Sequence, residues 1–388
     1  MNAEAMRVQF DLTPEELMIK DAVRDFADGV VAPGAGHRDE TGEVPLDIMQ
    51  QMGALGFFGI PFSEEWGGTG ANTVSYALAV EEIGRVDASL GLGFAAHVSL
   101  GCSPVYYFGT PTQKREFLER AIRGEYLAAF GLTEPEAGSD AGGTQTRARR
   151  LGDTYHLNGT KIFITNAGHA GYIVATARTS DQSRKISAFI VPRETPGVGV
   201  RCDYKKMGMR SSETCEIHFD DVVIPEDHLL GAEDKGFHQF LDILDGGRIS
   251  IGALSVGVAQ AALDASVQYA QQRRQFGKTL SAFQAIQFKL ADMAMEVELA
   301  RTMVLKAAWL KDQHRPYAKE AAMAKLFASE TAMRAASEAV QIYGGAGYMH
   351  DFPVERYMRD AKLLVIGEGT SEIQRLVIAR ALLEEHPV

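Results

Sequence analysis

The chain has 388 residues, 46% hydrophobic and 23% charged, an ordinary globular composition long enough for two or three domains. Lys and Arg number 39 and Asp and Glu 51, a formal charge of 39 − 51 = −12, so a nucleic-acid partner is not expected: no basic run reverses the acidic surface locally. Cys102, Cys202 and Cys215 are odd in number and scattered, which suits thiols in a reducing compartment better than a disulfide framework or a metal site.

Met1 to Gln9 has neither the apolar core of a signal peptide nor the pattern of a transit peptide. No uninterrupted apolar run approaches the ~20 residues a bilayer requires. The expectation is a cytoplasmic protein, or a mature form already cleaved, that spans no membrane.

The segment 1–127 reads as helices. Thr13-Pro14-Glu15-Glu16 combines an N-cap, a first-turn proline and a capping box. A second helix starts at Pro45 and stops near Gly53 or Gly56. Trp66 to Gly70 is a breaker loop, and Val74 to Ile83 is helical again. The segment 128–232 switches to strand signals. Tyr155–Leu157 and Thr160–Thr165 flank Asn158-Gly159, which predicts a hairpin. Tyr172–Ala177, Ile186–Val191 and Glu216–Ile224 add β-rich runs punctuated by prolines, so an antiparallel, barrel-like β domain is expected. The segment 233–388 is helical. Ile286, Leu290, Met293, Val297, Ala300, Val304 and Ala307 step by four and three, and Tyr317–Val340 is an Ala-rich stretch suited to close packing. The methionines of these stripes read as core filler. A four-helix bundle follows, and the fold class is α+β with a β domain between two helical ones.

Several strings are unusual for mere structure. Leu132-Thr133-Glu134-Pro135-Glu136-Ala137-Gly138-Ser139-Asp140 is dense in hydroxyls, turn formers and close-approach glycine, as in a loop that hydrogen-bonds a polar ligand. Phe163-Ile164-Thr165 pairs an aromatic face with a hydroxyl. Arg273 to Lys278 could hold a phosphate or simply end a helix. Gln341-Ile342-Tyr343-Gly344-Gly345 closes another helix. Gly367-Glu368-Gly369 puts a carboxylate on bare backbone just before a helix capped by Thr370 or Ser371.

In this order and spacing the strings resemble the acyl-CoA dehydrogenase family along nearly the whole chain, from Asp11-Leu12-Thr13 to the terminal helix. Leu132–Asp140 looks like the family's first signature. Gln341–Gly347, Arg359-Asp360-Ala361-Lys362 and Glu368-Gly369-Thr370-Ser371 look like the second. The resemblance implies FAD held between the β domain and the C-terminal helices, at a subunit interface of a homotetramer built as a dimer of dimers. Phe130, Leu132, Thr133, Gly138 and Ser139 would line flavin and substrate. Phe163 and Ile164 would lie against the flavin and Thr165 would bond it. Arg273 and Phe276 would meet the FAD of a neighbouring subunit. Gln284, Gln341, Gly344, Gly345, Thr370 and Glu372 would complete the dinucleotide site. Asp245 and Arg248 would face the acyl-CoA substrate, with Ser139, Gly367 and Gly369 beside it.

Glu368 would be the base. A thioester α C–H is a weak acid, so its removal needs donors aimed at the developing enolate oxygen as well as a carboxylate of raised pKa. The product would be a trans-2-enoyl-CoA, and an electron-transferring flavoprotein would take the electrons onward. Gly367 stands where many members carry an aromatic residue, which widens the pocket as in relatives acting on branched chains. Some of those relatives place their base at the position of Gly247, which cannot serve here. Ala95–Ser99 is similar to the isovaleryl-type members, and His97 within it reads as a packed histidine on a helix surface, without a role. Competing expectations are an oxidase or a monooxygenase of the same fold, or an inactive helical scaffold. Glu368 and the flavin-facing strings disfavour the last two.

Overall fold

The capping box at Thr13 forms. Its hydroxyl accepts the Glu16 N–H at 3.2 Å, and the Glu16 carboxylate accepts the Thr13 N–H at 2.8 Å. The computed structural model describes residues 11–180 and 185–387, so the reading of Met1–Gln9 lies outside the described residues. Helices α1 (Pro14–Phe26), α2 (Ala35–Thr41), α3 (Leu46–Ala54), α4 (Thr73–Val86), α5 (Ala88–Ala95), α6 (Ser103–Phe108), α7 (Pro111–Gln113) and α8 (Glu119–Ile122) come first. Between α5 and α6 the chain widens into a π-helical stretch, Ala96–Cys102, which is buried throughout.

Eight strands follow: β1 (Leu127–Gly131), β2 (Arg147–Leu151), β3 (Thr154–Thr165), β4 (Ala170–Arg178), β5 (Ile186–Pro192), β6 (Val198–Arg201), β7 (Thr214–Pro225) and β8 (Leu229–Leu230). They form one sheet in the order β6-β7-β3-β2-β4-β5-β8, with β1 paired to β4. Most pairs are antiparallel, but β1 and the start of β2 run parallel to β4, so the sheet is mixed. Parallel neighbours need a long crossover, and the 132–146 loop with the β2–β3 unit supplies it.

The hairpin expected at Asn158-Gly159 is not there. Both residues lie inside the single strand β3, at a register shift against β7. Asn158 fills the shift by accepting the Asp221 N–H at 2.9 Å. Gly159 is required because a Cβ would lie 2.4 Å from the Thr146 hydroxyl. The real β2–β3 turn is at Gly152 (φ 64), where Leu151 pairs with Thr154. A second correction concerns the cysteines. Cys202 and Cys215 form a disulfide, because the β6–β7 register that pairs Arg201 with Glu216 puts the next two residues opposite each other. Cys102 is free and buried.

The C-terminal segment holds α9 (Gly236–Gln272), a small hairpin of β9 (Arg274–Gln275) and β10 (Lys278–Thr279), then α10 (Gln284–Asp312), α11 (Ala318–Tyr343), α12 (Val354–Leu364) and α13 (Ser371–Glu385). Met293, Val297, Ala300, Val304 and Ala307 are the buried edge of α10, as their spacing requires. One hydrophobic core runs through both helical regions, from Val23 and Phe58 to Leu254, Val297 and Ala328. The sheet has its own core of Tyr155, Leu157, Ile173, Phe189, Ile217 and Val222. Two helical stretches, Ala88–Phe108 and Gly236–Gln272, are long and apolar enough to cross a membrane, yet their most apolar 18-residue windows are 100% and 78% buried within the protein. They are core helices.

Candidate active site

The α12–α13 junction carries the carboxylate. Helix α12 ends at Leu364, and the chain turns through Glu368 (φ 52) and Gly369 (φ 90) before Thr370 caps α13 by accepting the Ile373 N–H. A non-glycine residue at positive φ costs on the order of 1–3 kcal/mol and persists only where its surroundings hold it. Here Gln374 Nε2 donates to the carbonyls of Glu368 (3.2 Å) and Gly369 (2.9 Å), and Lys325 Nζ donates to the Gly369 carbonyl at 2.7 Å. The twist turns the Glu368 side chain inward, toward α9. Its Oε2 is buried without a hydrogen-bond partner.

Gly247 of α9 makes room for that oxygen. A Cβ at Gly247 would lie 2.4 Å from Glu368 Oε2 and 3.1 Å from Leu100 Cδ2. The carboxylate therefore fills the space that a side chain at 247 would take. Leu100 belongs to a small apolar cluster with Ala96 and Ile243, flanked by Phe108, Phe130 and Leu244. Burial pushes the Glu368 carboxyl up to about 7, with Lys325 and then Arg248 pulling it down. Arg248 is ion-paired with Asp245 one turn before it, and burial holds Asp245 above the usual carboxylate range. Beneath Gly247, the Ser250 hydroxyl donates to Ser99, which donates to the Ala95 carbonyl.

The sheet contributes a second surface. The Leu132–Asp140 loop is tied down by a buried ion pair, Lys161 Nζ to Glu134 Oε1 at 2.6 Å. Lys161 also reaches the Leu132 carbonyl (3.2 Å) and the Thr176 hydroxyl (3.0 Å), while Glu134 accepts the N–H groups of Gln145 and Thr146. The Ile162 N–H donates to the Thr133 carbonyl, joining the loop to a register shift between Lys161 and Ile164. This bulge re-aims Phe163 out of the sheet, at φ 60 and 59% exposed, while Ile164 stays in the core. Thr165 is half-buried at the strand end, and Gly138 and Ser139 are exposed. Phe130 stacks on Phe240 of α9 at 4.1 Å, which couples the loop to the helix bearing Gly247.

Not all of the remaining expected residues join Glu368 within one chain. Arg273 and Phe276 follow α9, and the 25 residue steps from Gly247 to Gln272 amount to roughly 37 Å of helix. Arg273 is exposed, and Phe276 sits at φ 50 in the β9–β10 turn, 92% exposed. Gln284 starts α10 and is exposed, as are Gln341, Gly344 and Gly345 at the end of α11. A Cβ at Gly344 or Gly345 would meet nothing within 4 Å, so this backbone is bare. Thr370 accepts its helix-cap bond from the Ile373 N–H, which leaves its hydroxyl hydrogen to donate, and Glu372 is exposed beside it.

Lys325, Gln374 and Lys161 were not singled out from sequence. Lys325 had a visible signal, since it falls on the stripe Ala321, Ala328, Ala332, Ala335 and Ala339, all buried. His97 is another correction. It is fully buried, accepts the Ala128 N–H at Nδ1 (2.9 Å) and faces the Ala121 carbonyl through Nε2 (3.2 Å). It joins the helical region to β1. Cys202, Glu213 and Cys215 also bring ligand atoms within 4.8 Å, but the two sulfurs are bonded to each other.

A flat, apolar-edged cofactor suits what is left open. Phe163 offers an exposed ring, Gly138, Gly344 and Gly345 offer backbone with no side chain in the way, and the hydroxyls of Ser211, Ser212 and Ser371 are buried without partners.

Residues 13–125, 129–222 and 234–383 match the N-terminal, middle and C-terminal domains of acyl-CoA dehydrogenase. The chain is 60% identical over 380 residues to the probable acyl-CoA dehydrogenase YngJ of Bacillus subtilis, covering 97% of this chain and 100% of that one. The solved butyryl-CoA dehydrogenase of Megasphaera elsdenii superposes with a TM-score of 0.95 at 45% identity, covering 97% and 100%. A structure from work on the electron transferring flavoprotein of Acidaminococcus fermentans gives 0.96 at 46%, again covering 97% and 100%. The helical, sheet and helical regions are those of an FAD-dependent oxidoreductase acting on acyl-CoA. This chain belongs to the acyl-CoA dehydrogenase family.

Proposed function

We propose that the protein oxidises a short acyl-CoA, butyryl-like in length, to its trans-2-enoyl-CoA, with Glu368 removing the α-proton. The observation that carries this reading is a buried, unpartnered carboxylate oxygen, held at a strained turn and facing glycine space beside an apolar cluster. Burial brings Glu368 to about 7, near the pH at which a base must act. FAD, when bound, supplies the acceptor for the β-hydrogen as hydride. Leu100, 3.1 Å from where a Cβ at Gly247 would be, and Ile243 of the same cluster make the surroundings of Glu368 apolar, which suits an acyl group. The names butyryl-CoA and short-chain specific among the relatives favour the same class. A Cβ at Gly367 would meet only Leu363, at 3.5 Å or more, which leaves room for a branched α-carbon.

Asp245 and Arg248 hold the substrate end of the groove. Phe130, Leu132, Thr133, Gly138, Ser139, Phe163 and Thr165 form the flavin side, to which Ile164 offers only backbone because its side chain is in the sheet core. Arg273, Phe276, Gln284, Gln341, Gly344, Gly345, Thr370 and Glu372 take the rest of the dinucleotide, the first two across a subunit boundary. Phe276 and the exposed stripe Phe288, Met295 and Leu299 on α10 support a homotetramer in which another copy covers them. An electron-transferring flavoprotein is the electron acceptor, and the bacterial acyl-CoA dehydrogenases among the relatives favour a soluble, cytoplasmic enzyme.

The test is Glu368→Gln, which keeps size and removes the base. Anaerobic flavin bleaching by excess butyryl-CoA should slow by ~10²–10⁴-fold with FAD still bound. Bleaching at the parent rate would place the base elsewhere.

A further inference from the structure

Lysine is rarely buried without a counter-charge, because desolvating an ammonium costs several kcal/mol. Lys325 is completely buried in the Ala-rich face of α11, and the acceptor it reaches is the Gly369 carbonyl at 2.7 Å. One carbonyl is little compensation for a full charge. Gln374 Nε2 already donates to that same carbonyl and to the one before it. A neutral side chain thus does the purely structural work at this turn, and the positive charge is left over.

We infer that Lys325 is a positioning residue for Glu368: its ammonium pins the carbonyl of the next residue and supplies the charge against which the carboxylate is held. The inference rests on the reading of Glu368 as the base. The groups facing Glu368 are few. Lys325 comes from α11, Arg248 from α9 and Tyr76 from α4, while Leu100, from the π-helical stretch, is apolar. Arg248 is committed to Asp245 by their ion pair. Tyr76 stays neutral, since burial raises its phenol far above the ordinary value. Lys325 is also felt by Glu372 of α13 and Glu330 of its own helix, after Glu368 and Arg248. Burial brings the Lys325 amine down to about 8 and Glu368 pulls it back up, so each group favours the charged form of the other. A base that must be ionised before substrate arrives, in a site that strips water from it, gains a fixed counter-charge.

The experiment compares holoenzyme carrying Lys325→Met or Lys325→Gln with the parent and with Glu368→Gln. Infrared difference spectra over a pH series follow the protonated carboxyl stretch that disappears in Glu368→Gln, which reads the ionisation of Glu368 without turnover. Loss of a close opposite charge raises a carboxyl pKa by about 1–3 units. The midpoint should therefore move up by at least about one unit in both lysine variants, and the acid limb of flavin bleaching by butyryl-CoA should move with it. The Gln variant retains an N–H donor without the charge, so the parent midpoint in that variant would overturn the inference. So would a drop in rate that is uniform across pH with an unmoved midpoint, which is what a purely structural lysine would give. Should Glu368→Gln bleach at the parent rate, the base assignment would fall on that arm alone, while the infrared midpoint still reports whether Lys325 sets the charge of Glu368. Visible flavin absorbance and the circular dichroism of each variant verify that the compared proteins are folded and loaded.

Discussion

Lys161→Met offers the sharpest test of how the sheet holds its ligand loop. Methionine keeps most of the apolar stem and removes the ammonium. In the parent that ammonium bonds Glu134 Oε1, the Leu132 carbonyl and the Thr176 hydroxyl, with Lys161 fully buried and Glu134 3% exposed. Removing one member of a buried pair leaves the other charge uncompensated, at about 3–5 kcal/mol. Glu134 would keep only the Gln145 and Thr146 N–H groups. The cost falls on the Leu132–Asp140 loop, because Glu134 and Leu132 are both part of it. If only a third of it reaches the bound state as loop opening, FAD affinity falls roughly tenfold, at about 1.4 kcal/mol per decade. Flavin fluorescence released on serial dilution measures that affinity, and a thermal scan measures stability alongside. The double variant Lys161→Met/Glu134→Met should recover much of the loss, since a pair replaced whole is close to neutral. FAD retention and melting at parent values in the single variant would refute the reasoning. Equal losses in single and double variants would also refute it, because the pair would then not be the cause.

Gly247→Ala should separate stability from activity. Alanine in a helix interior is favoured over glycine by roughly 0.5–1 kcal/mol, yet its Cβ would sit 2.4 Å from Glu368 Oε2 and displace it. Flavin reduction should slow by on the order of 10²-fold with no fall in melting temperature, and an unchanged rate would show that Glu368 does not need this space. His97 predicts a pH effect on stability. Burial lowers it to about 4, whereas an unfolded histidine protonates near 6.5. The stability it contributes is present above about 6.5 and is lost as pH falls toward 4, by about 3 kcal/mol in all. Denaturant titrations of parent and His97→Gln between pH 7 and pH 4.5 should diverge in slope, and parallel curves would remove His97 as the cause.

Local patterns already determine much of this protein. The Thr13 capping box, the glycine at the end of α11, the Thr370 cap and the buried stripe of α10 depend on neighbours within a turn or two, so the sequence displays them directly. Glu368 is legible in a different way: a carboxylate between two glycines ahead of a helix cap can be a plain surface acid, and it stands out as a base only through the resemblance carried by the whole set of strings. Features decided by distant segments were hidden. Asn158-Gly159 has the form of a hairpin turn, but its glycine answers to Thr146 on the neighbouring strand, which no local rule contains. The Cys202–Cys215 bond depends on β6 and β7 pairing in one register, and counting cysteines cannot give that. His97 and Lys325 were placed on helices correctly, yet burial on all sides is a property of packing, and burial is what gives each its chemistry. The sequence by itself determined most of the helices and the family, and it singled out Glu368 as the candidate base. Only the tertiary structure decided that Gly247 and Glu368 share one space, that Lys325 bonds the carbonyl next to Glu368, and that the Leu132–Asp140 loop hangs on Lys161, because these are contacts between groups far apart in the chain whose energies appear only once water is excluded from between them.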